Sequence, residues 1–143
     1  MSVPGYSTAQ RISLDLAGYH QDTVEVGYEV SSSGRTLIKR KDYHISVLSF
    51  FEVFNDSVEV YHNNNKIVSW YIHKDNNPYT STGYSGKEIA IYRTAGVNEI
   101  VIKLIHQKKY IKFNLKKEYP LYSIQRYQEI WHVNARKYVM VLM

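Results

Sequence analysis

The sequence predicts an all-β fold, an antiparallel β-sandwich, because strand-favouring residues dominate and short strand patterns recur without a long helical pattern. Val and Ile total 27 residues, whereas Leu and Ala total only 13. With Tyr, Phe, Trp and Thr, the strand-favouring set reaches 53 of the 143 residues. A chain of this length is expected to form one domain, so we assign 1–143 to a single β-sandwich domain.

Two segments carry the clearest strand patterns. In 23–30, apolar side chains alternate with Glu25, Gly27 and Glu29, which indicates a strand with one solvated face. The segment 43–54 is apolar on both faces, and this is typical of a central strand covered on both sides.

A hairpin is expected where segments 57–62 and 66–73 flank the Asn run 63–65, because Asn tolerates positive φ. A three-residue loop there places Val60 opposite Val68. That register keeps the apolar side chains of both strands on one face, as a sandwich requires.

The remaining strand patterns recur about every ten residues and bring the expected total to nine or ten. They cover 10–16, 87–93, 98–106, 109–115, 119–127 (where a short helix is an alternative) and 138–142. This spacing favours a two-layer sandwich, in particular a single jelly roll with 8–10 strands. An immunoglobulin-like sandwich or a β-barrel is the alternative.

No motif in the chain indicates an enzyme, a metal or a cofactor. The absence of Cys excludes disulfides, thiolate zinc sites and cysteine nucleophiles. The six His lack metal-ligand spacing, and 83–87 matches neither a nucleophile elbow nor a phosphate-binding loop. Glu52 lies in an apolar run, where a general acid is conceivable, but solvent or a basic partner at the strand end is the simpler expectation.

The formal net charge of +5 is concentrated in two basic segments. The first contains Arg35, Lys39, Arg40 and Lys41. In the second, the side chains Lys108, Tyr110, Lys112 and Lys116 alternate with an apolar set. Lys beside Tyr on one strand face is typical of a nucleic-acid groove, because Lys neutralises phosphate and Tyr stacks on bases. The alternative is a solvated face that protects an edge strand from aggregation.

Tyrosine is the residue most in excess, with 14 copies against 4 Phe. Tyr is enriched at protein interfaces, because it combines a large contact area with a polar tip. We therefore expect subunit contacts at Tyr79 and Tyr84 in a polar loop. The apolar C-terminal segment provides further candidates, namely Tyr138, Val139, Val141 and Met143.

Together these features favour a non-enzymatic structural protein that self-assembles, and a viral capsid subunit of single-jelly-roll type fits best. The expected partners are further copies of the chain and packaged nucleic acid bound by the basic segments. No export signal or membrane span is evident, so the expected location is a virion assembled in the host cytoplasm, or otherwise the cytoplasm. The alternatives are a nucleic-acid-binding β-barrel and a β-sandwich module that binds carbohydrate or protein.

Overall fold

A computed structural model describes residues 13–29, 37–38, 44–51, 54–73, 86–137 and 139–140. Every regular element in these ranges is a strand. The strands are β1 (His20–Gln21), β2 (Thr23–Glu29), β3 (Leu37–Ile38), β4 (Ile45–Phe50), β5 (Asp56–His62), β6 (Asn65–Ile72), β7 (Lys87–Tyr92), β8 (Glu99–Leu104), β9 (Lys109–Asn114), β10 (Leu121–Tyr127), β11 (Ile130–Arg136) and β12 (Val139–Met140).

Two five-stranded sheets pack face to face, which confirms the predicted β-sandwich. Sheet 1 has the order β1-β9-β8-β5-β6, and sheet 2 has the order β2-β11-β10-β4-β7. A small third sheet pairs β12 with β3. Of the nine strand pairs in the described ranges, six are antiparallel, as expected.

Three pairs are parallel, which the sequence patterns did not anticipate: β1 with β9, β4 with β10, and β2 with β11. Parallel partners need a long connection instead of a tight turn, so no local turn signal marks them. A jelly roll is built from antiparallel strands, and the predicted jelly-roll topology is therefore not confirmed.

The core lies between the inner faces of the two sheets, and aromatic side chains of the two sheets contact each other within it. Phe50 of β4 meets Trp70 of β6 edge to face, with ring centroids 5.5 Å apart. Phe54 stacks on Trp131 at 5.0 Å. The largest fully buried side chains include Trp131, Tyr122, Phe50, Leu48, Ile100, Ile102, Leu104, Ile111 and Ile124.

The β5–β6 hairpin has the predicted register but reaches it differently. Asn63 and Asn64 both have positive φ, 47° and 71°, so the turn has two residues and not three. A bulge on β6 leaves Ile67 without a partner on β5, and Val60 therefore lies opposite Val68. The prediction of facing apolar sets is confirmed, and the predicted loop length is wrong.

Near the C-terminal end of the described chain, the segment 119–127 contains strand β10, and the helical alternative is wrong. Strand β11, which completes a hairpin with β10, was not among the predicted strands. In 10–16, only 13–16 is described, and there Ser13 makes a single antiparallel bridge to Asn65.

One extended run, 20–29, belongs to both sheets. Its first two residues form β1 on the edge of sheet 1, and its last seven form β2 on the edge of sheet 2. Asp22 lies between them, and its backbone N–H donates to Tyr110 O at 2.8 Å. Its carboxylate accepts from Trp131 Nε1 at 2.9 Å and lies 3.4 Å from Arg126. The run therefore closes one side of the sandwich.

The turn that joins β10 to β11 carries backbone strain. Gln128 and Glu129 both adopt positive φ, 52° and 65°, a region that favours Gly and Asn. Replacing the pair by Asn-Gly should raise the free energy of unfolding by about 1 kcal/mol, measured by urea denaturation. Glu118→Gly is the control, because Glu118 is exposed and does not have a positive φ. This substitution should lower the free energy of unfolding. No gain from Asn-Gly would show that this turn stores no strain.

Tyr122 is fully buried beneath the loop after β9. Its hydroxyl accepts from Lys116 N at 2.7 Å and lies 3.3 Å from Lys116 O. Burial raises the pKa of Tyr122 to about 12 from the usual 10. The folded protein thus keeps this phenol neutral at a pH where the unfolded chain ionises it.

Stability should consequently fall as the pH rises from 10 to 12, with Tyr122 accounting for up to about 3 kcal/mol. Tyr122→Phe cannot ionise, so the difference in unfolding free energy between the unaltered protein and this variant should shrink over that window. Urea denaturation at pH 8, 10 and 11.5 measures it. Tyr127→Phe, at an exposed ring, should retain the full pH dependence. If the unfolding free energy fell by the same amount in the unaltered protein and in Tyr122→Phe, the buried phenol of Tyr122 would not be the cause of the pH dependence.

Candidate functional site

The predicted alternation along β9 is present. Ile111, Phe113 and Leu115 are buried in the core, whereas Lys108, Lys112 and Lys116 are exposed. Tyr110 lies half-buried on the outer face, opposite Lys103 of β8. We call Lys108, Tyr110, Lys112 and Lys116 the β9 basic row.

The two ends of the β9 basic row lie on tyrosine rings. The Lys108 ammonium is 5.0 Å from the ring centre of Tyr19, and that of Lys116 is 4.1 Å from Tyr28. Lys112 lies on β9 between them, whereas Lys108 lies in the turn before β9, with a φ of 58°, and Lys116 follows the end of the strand. None of the ion pairs among the described residues includes a lysine of this row.

Lys103 belongs to the same basic segment but is withdrawn from solvent. It is 6% exposed, and its ammonium donates to Asp15 O at 2.7 Å. The rings of Tyr19 and Tyr61 lie 4.3 and 5.5 Å away. The segment 13–19 therefore covers this part of the outer face of sheet 1, and Lys103 is a structural lysine, inaccessible to a ligand.

A second group of cations and rings lies where β2, β9 and β11 end. The rings of Tyr28 and Tyr119 are 4.9 Å apart, and the Lys137 ammonium lies 5.4 Å from Tyr119. Lys116 of the β9 basic row covers Tyr28 at this end. This group was not predicted, because its members come from three distant segments that no local pattern connects.

The first basic segment and most predicted interface residues lie outside the described residues. These are Arg35, Lys39, Arg40, Lys41, Tyr79, Tyr84, Tyr138, Val141 and Met143, and Glu52 is also outside them. Val139 is described as part of β12, where it pairs with Ile38 of the same chain. The position of the first basic segment relative to the second therefore lies outside the described residues.

Two buried polar side chains that resemble site residues fix turns instead. Asp56 is fully buried and accepts from the backbone N–H groups of Ser57, His106 and Gln107 at 2.6, 2.8 and 3.0 Å. Asn98 accepts from Thr94 N at 2.8 Å and lies 2.9 Å from His62 Nε2. Over the described ranges, no three His, Asp or Glu side chains are grouped so that they could hold a metal ion.

The two five-stranded sheets have four edge strands, and three of these are short or charged. β1 has two residues, and β7 begins with Lys87 and Glu88. The β2 edge carries Glu25, which lies 3.5 Å from the imidazole of His132 of β11, and Glu29, which forms an ion pair with Arg136 of β11. Short length and charge are the usual means by which edge strands avoid pairing with another chain.

The fourth edge, β6, is neither short nor strongly charged, although it carries the bulge at Ile67, a further device that hinders edge pairing. It runs for eight residues, and its only charged side chain, Lys66, is bound to Glu59 at 3.4 Å. Ile67 and Tyr71 are 38% and 54% exposed. Beyond the Ser13–Asn65 bridge, no described strand pairs with its outer side. We call the outer side of β6 over residues 67–71 the β6 edge.

Comparison with protein-family models, with curated proteins and with solved structures finds no match to this chain. Within the described residues, no helix is long and apolar enough to span a membrane.

Proposed function

We propose that this protein is a non-enzymatic structural subunit that self-assembles through the β6 edge. The observation that carries the proposal is the contrast among the four sheet edges. An exposed, long, apolar edge strand presents unpaired backbone groups that readily pair with a strand of another chain. Three edges of the described chain are short or charged, and β6, whose only such device is the bulge at Ile67, exposes Ile67 and Tyr71.

The side of the sandwich opposite β6 supports this assignment. There, the run 20–29 joins both sheets and is held by the Asp22 contacts to Trp131 and Arg126. A subunit that is closed on one side, and whose other side carries an edge that no described strand covers beyond Asn65, has a defined direction for contact with a neighbour. A shell protein, such as a viral capsid subunit, is the form of assembly that we propose for a one-domain β-sandwich of this kind.

Charging the β6 edge should prevent assembly. Light scattering of untagged, nuclease-treated protein from micromolar concentrations downward should give a mass well above the 16.8 kDa of one subunit. The double variant Ile67→Lys/Tyr71→Lys should scatter as a monomer, because two charges on each copy oppose strand pairing. Circular dichroism and thermal unfolding check that the variant remains folded.

The matched control is Tyr92→Lys/Val97→Lys. It adds the same charge at positions that are 70% and 71% exposed on or beside β7, and it should assemble like the unaltered protein. An unaltered protein that is monomeric at every concentration would overturn the proposal. So would equal assembly of the two double variants.

The second candidate function is nucleic-acid binding by the β9 basic row, either by the free subunit or inside an assembly. It is favoured by the three exposed lysines, none of which takes part in an ion pair within the described chain. Tyr110 lies between Lys108 and Lys112 in the row, and its ring could stack on a base.

Replacing Lys108, Lys112 and Lys116 by Gln should therefore weaken binding of a single-stranded oligonucleotide at least tenfold at low salt. It should also reduce the dependence of the dissociation constant on salt, because fewer counterions are released. Fluorescence anisotropy at two salt concentrations measures both. A control of equal charge change replaces Lys66, Lys117 and Arg136 by Gln. If both triple variants bind equally, the row has no specific role.

A further inference from the structure

The ring of Tyr28 lies beside the last lysine of the β9 basic row. Tyr28 follows Val24 and Val26 on the inward face of β2, near the end of that strand. It is 37% exposed, and the Lys116 ammonium lies 4.1 Å from its ring centre. Tyr19, which lies under the other end of the row, is half-buried. Over the described residues, Tyr28 is thus the exposed tyrosine that a lysine of this row covers.

We propose that Tyr28 is a base-stacking residue for single-stranded nucleic acid, with Lys116 and Lys137 as phosphate contacts beside the ring pair of Tyr28 and Tyr119. The inference rests on the second candidate function, because it extends the β9 basic row to a ring on β2. It adds a contact to the base, which can be measured separately from the contacts to phosphate.

The charges around this ring favour a polyanion. No ion pair among the described residues includes Lys116 or Lys137. The neighbouring carboxylate on β2, that of Glu29, points to the opposite face of the strand from Tyr28 and lies 3.1 Å from Arg136. The two ammonium groups can therefore bind phosphate oxygens, and each such contact releases a counterion.

Binding changes the partner of Lys116. Without a ligand, its ammonium covers a face of the Tyr28 ring. A cation–π contact at an exposed site is weak, whereas a charge-assisted hydrogen bond to phosphate is a strong contact for an ammonium group. When Lys116 turns to a phosphate, it uncovers the ring face, and a base can stack there. One side-chain rotation thus provides both contacts.

Tyr119 supports the Tyr28 ring from the side. The two ring centres are 4.9 Å apart and the ring planes are tilted by 52°, so both rings cannot stack on one flat base. Tyr119 is itself held by its loop, where its backbone N–H donates to Lys116 O at 3.0 Å. The Lys137 ammonium lies 5.4 Å from the Tyr119 ring and is the second cation beside the pair.

The same two rings also cover one end of the core. Tyr28 lies opposite the buried Ala135 of β11, which in turn lies opposite Tyr122 of β10. If this cover were the only role of Tyr28, removing its ring would lower stability without a selective loss of binding to bases. The experiment therefore compares ligands with and without bases.

Two oligonucleotide probes separate base contacts from phosphate contacts. One is a single-stranded thymidine oligonucleotide, and the other is an abasic oligonucleotide of equal length, which carries the same phosphates without bases. By fluorescence anisotropy at low salt, Tyr28→Leu should bind the thymidine probe about fivefold or more weakly than the unaltered protein does, and bind the abasic probe equally well. Tyr28→Phe keeps the ring and should bind both probes like the unaltered protein.

The matched control is Tyr92→Leu, which removes a ring that is 70% exposed on β7, the opposite edge of sheet 2 from β2. It should bind both probes like the unaltered protein. Circular dichroism and thermal unfolding check that each variant is folded.

Tyr28→Trp keeps an aromatic ring and gives a readout that does not depend on Tyr28→Leu being folded. Its tryptophan emission, compared with that of the unaltered protein and its two Trp, should fall when the thymidine probe binds. The abasic probe should leave the emission unchanged, because it has no base to stack on the ring.

The outcomes distinguish the stacking residue from the lysine row. Binding of both probes with equal affinity by the unaltered protein would overturn the stacking role and leave the row standing. Equal losses of both probes in Tyr28→Leu, or an unchanged emission of Tyr28→Trp with the thymidine probe bound, would do the same. An unaltered protein that binds neither probe at low salt would overturn both proposals.

Discussion

The fold depends on the contacts that Asp22 makes where one strand passes from sheet 1 to sheet 2. The backbone of this residue still pairs with β9, and its carboxylate binds Trp131 and Arg126 of the other sheet. A carboxylate that is largely buried is tolerated because each side of it meets a donor or a cation. Besides core packing, the described contacts that link the two sheets near this residue are the Lys109–Glu129 ion pair and the Arg126–Gln107 hydrogen bond.

Local pattern predicted strands with a clear alternation or a clear turn signal, whether or not the partner strand is close in sequence. The alternation around Val24 and Val26 marks β2, and the Asn run at 63–65 marks the β5–β6 hairpin. In the hairpin the facing set was predicted correctly although the loop length was not. The register is determined by burial of Val60 and Val68, and the bulge adjusts the turn to that requirement.

The features that sequence reasoning missed arise from long-range pairing or from unusual turns. β11 was missed because Gln128 and Glu129 occupy left-handed backbone conformations that ordinarily signal Asn or Gly. The parallel pairing of β2 with β11 joins segments about a hundred residues apart, and no local signal encodes it. For the candidate sites, the outward lysines of β9 were predicted from alternation. The burial of Lys103 was not, because it depends on the segment 13–19 crossing the sheet.

The run 20–29 also bears on how the molecule opens. Sheet 1 cannot separate from sheet 2 at this side unless β1 leaves β9 or β2 leaves β11, and either event breaks the contacts of Asp22. The amides of β9 and β11 therefore belong to one cooperative unit and should exchange their hydrogens through the same global opening. β6 pairs with β5 and, among the described residues, its other side meets a strand bridge only at Asn65, so we expect it to open locally without breaking the contacts of Asp22.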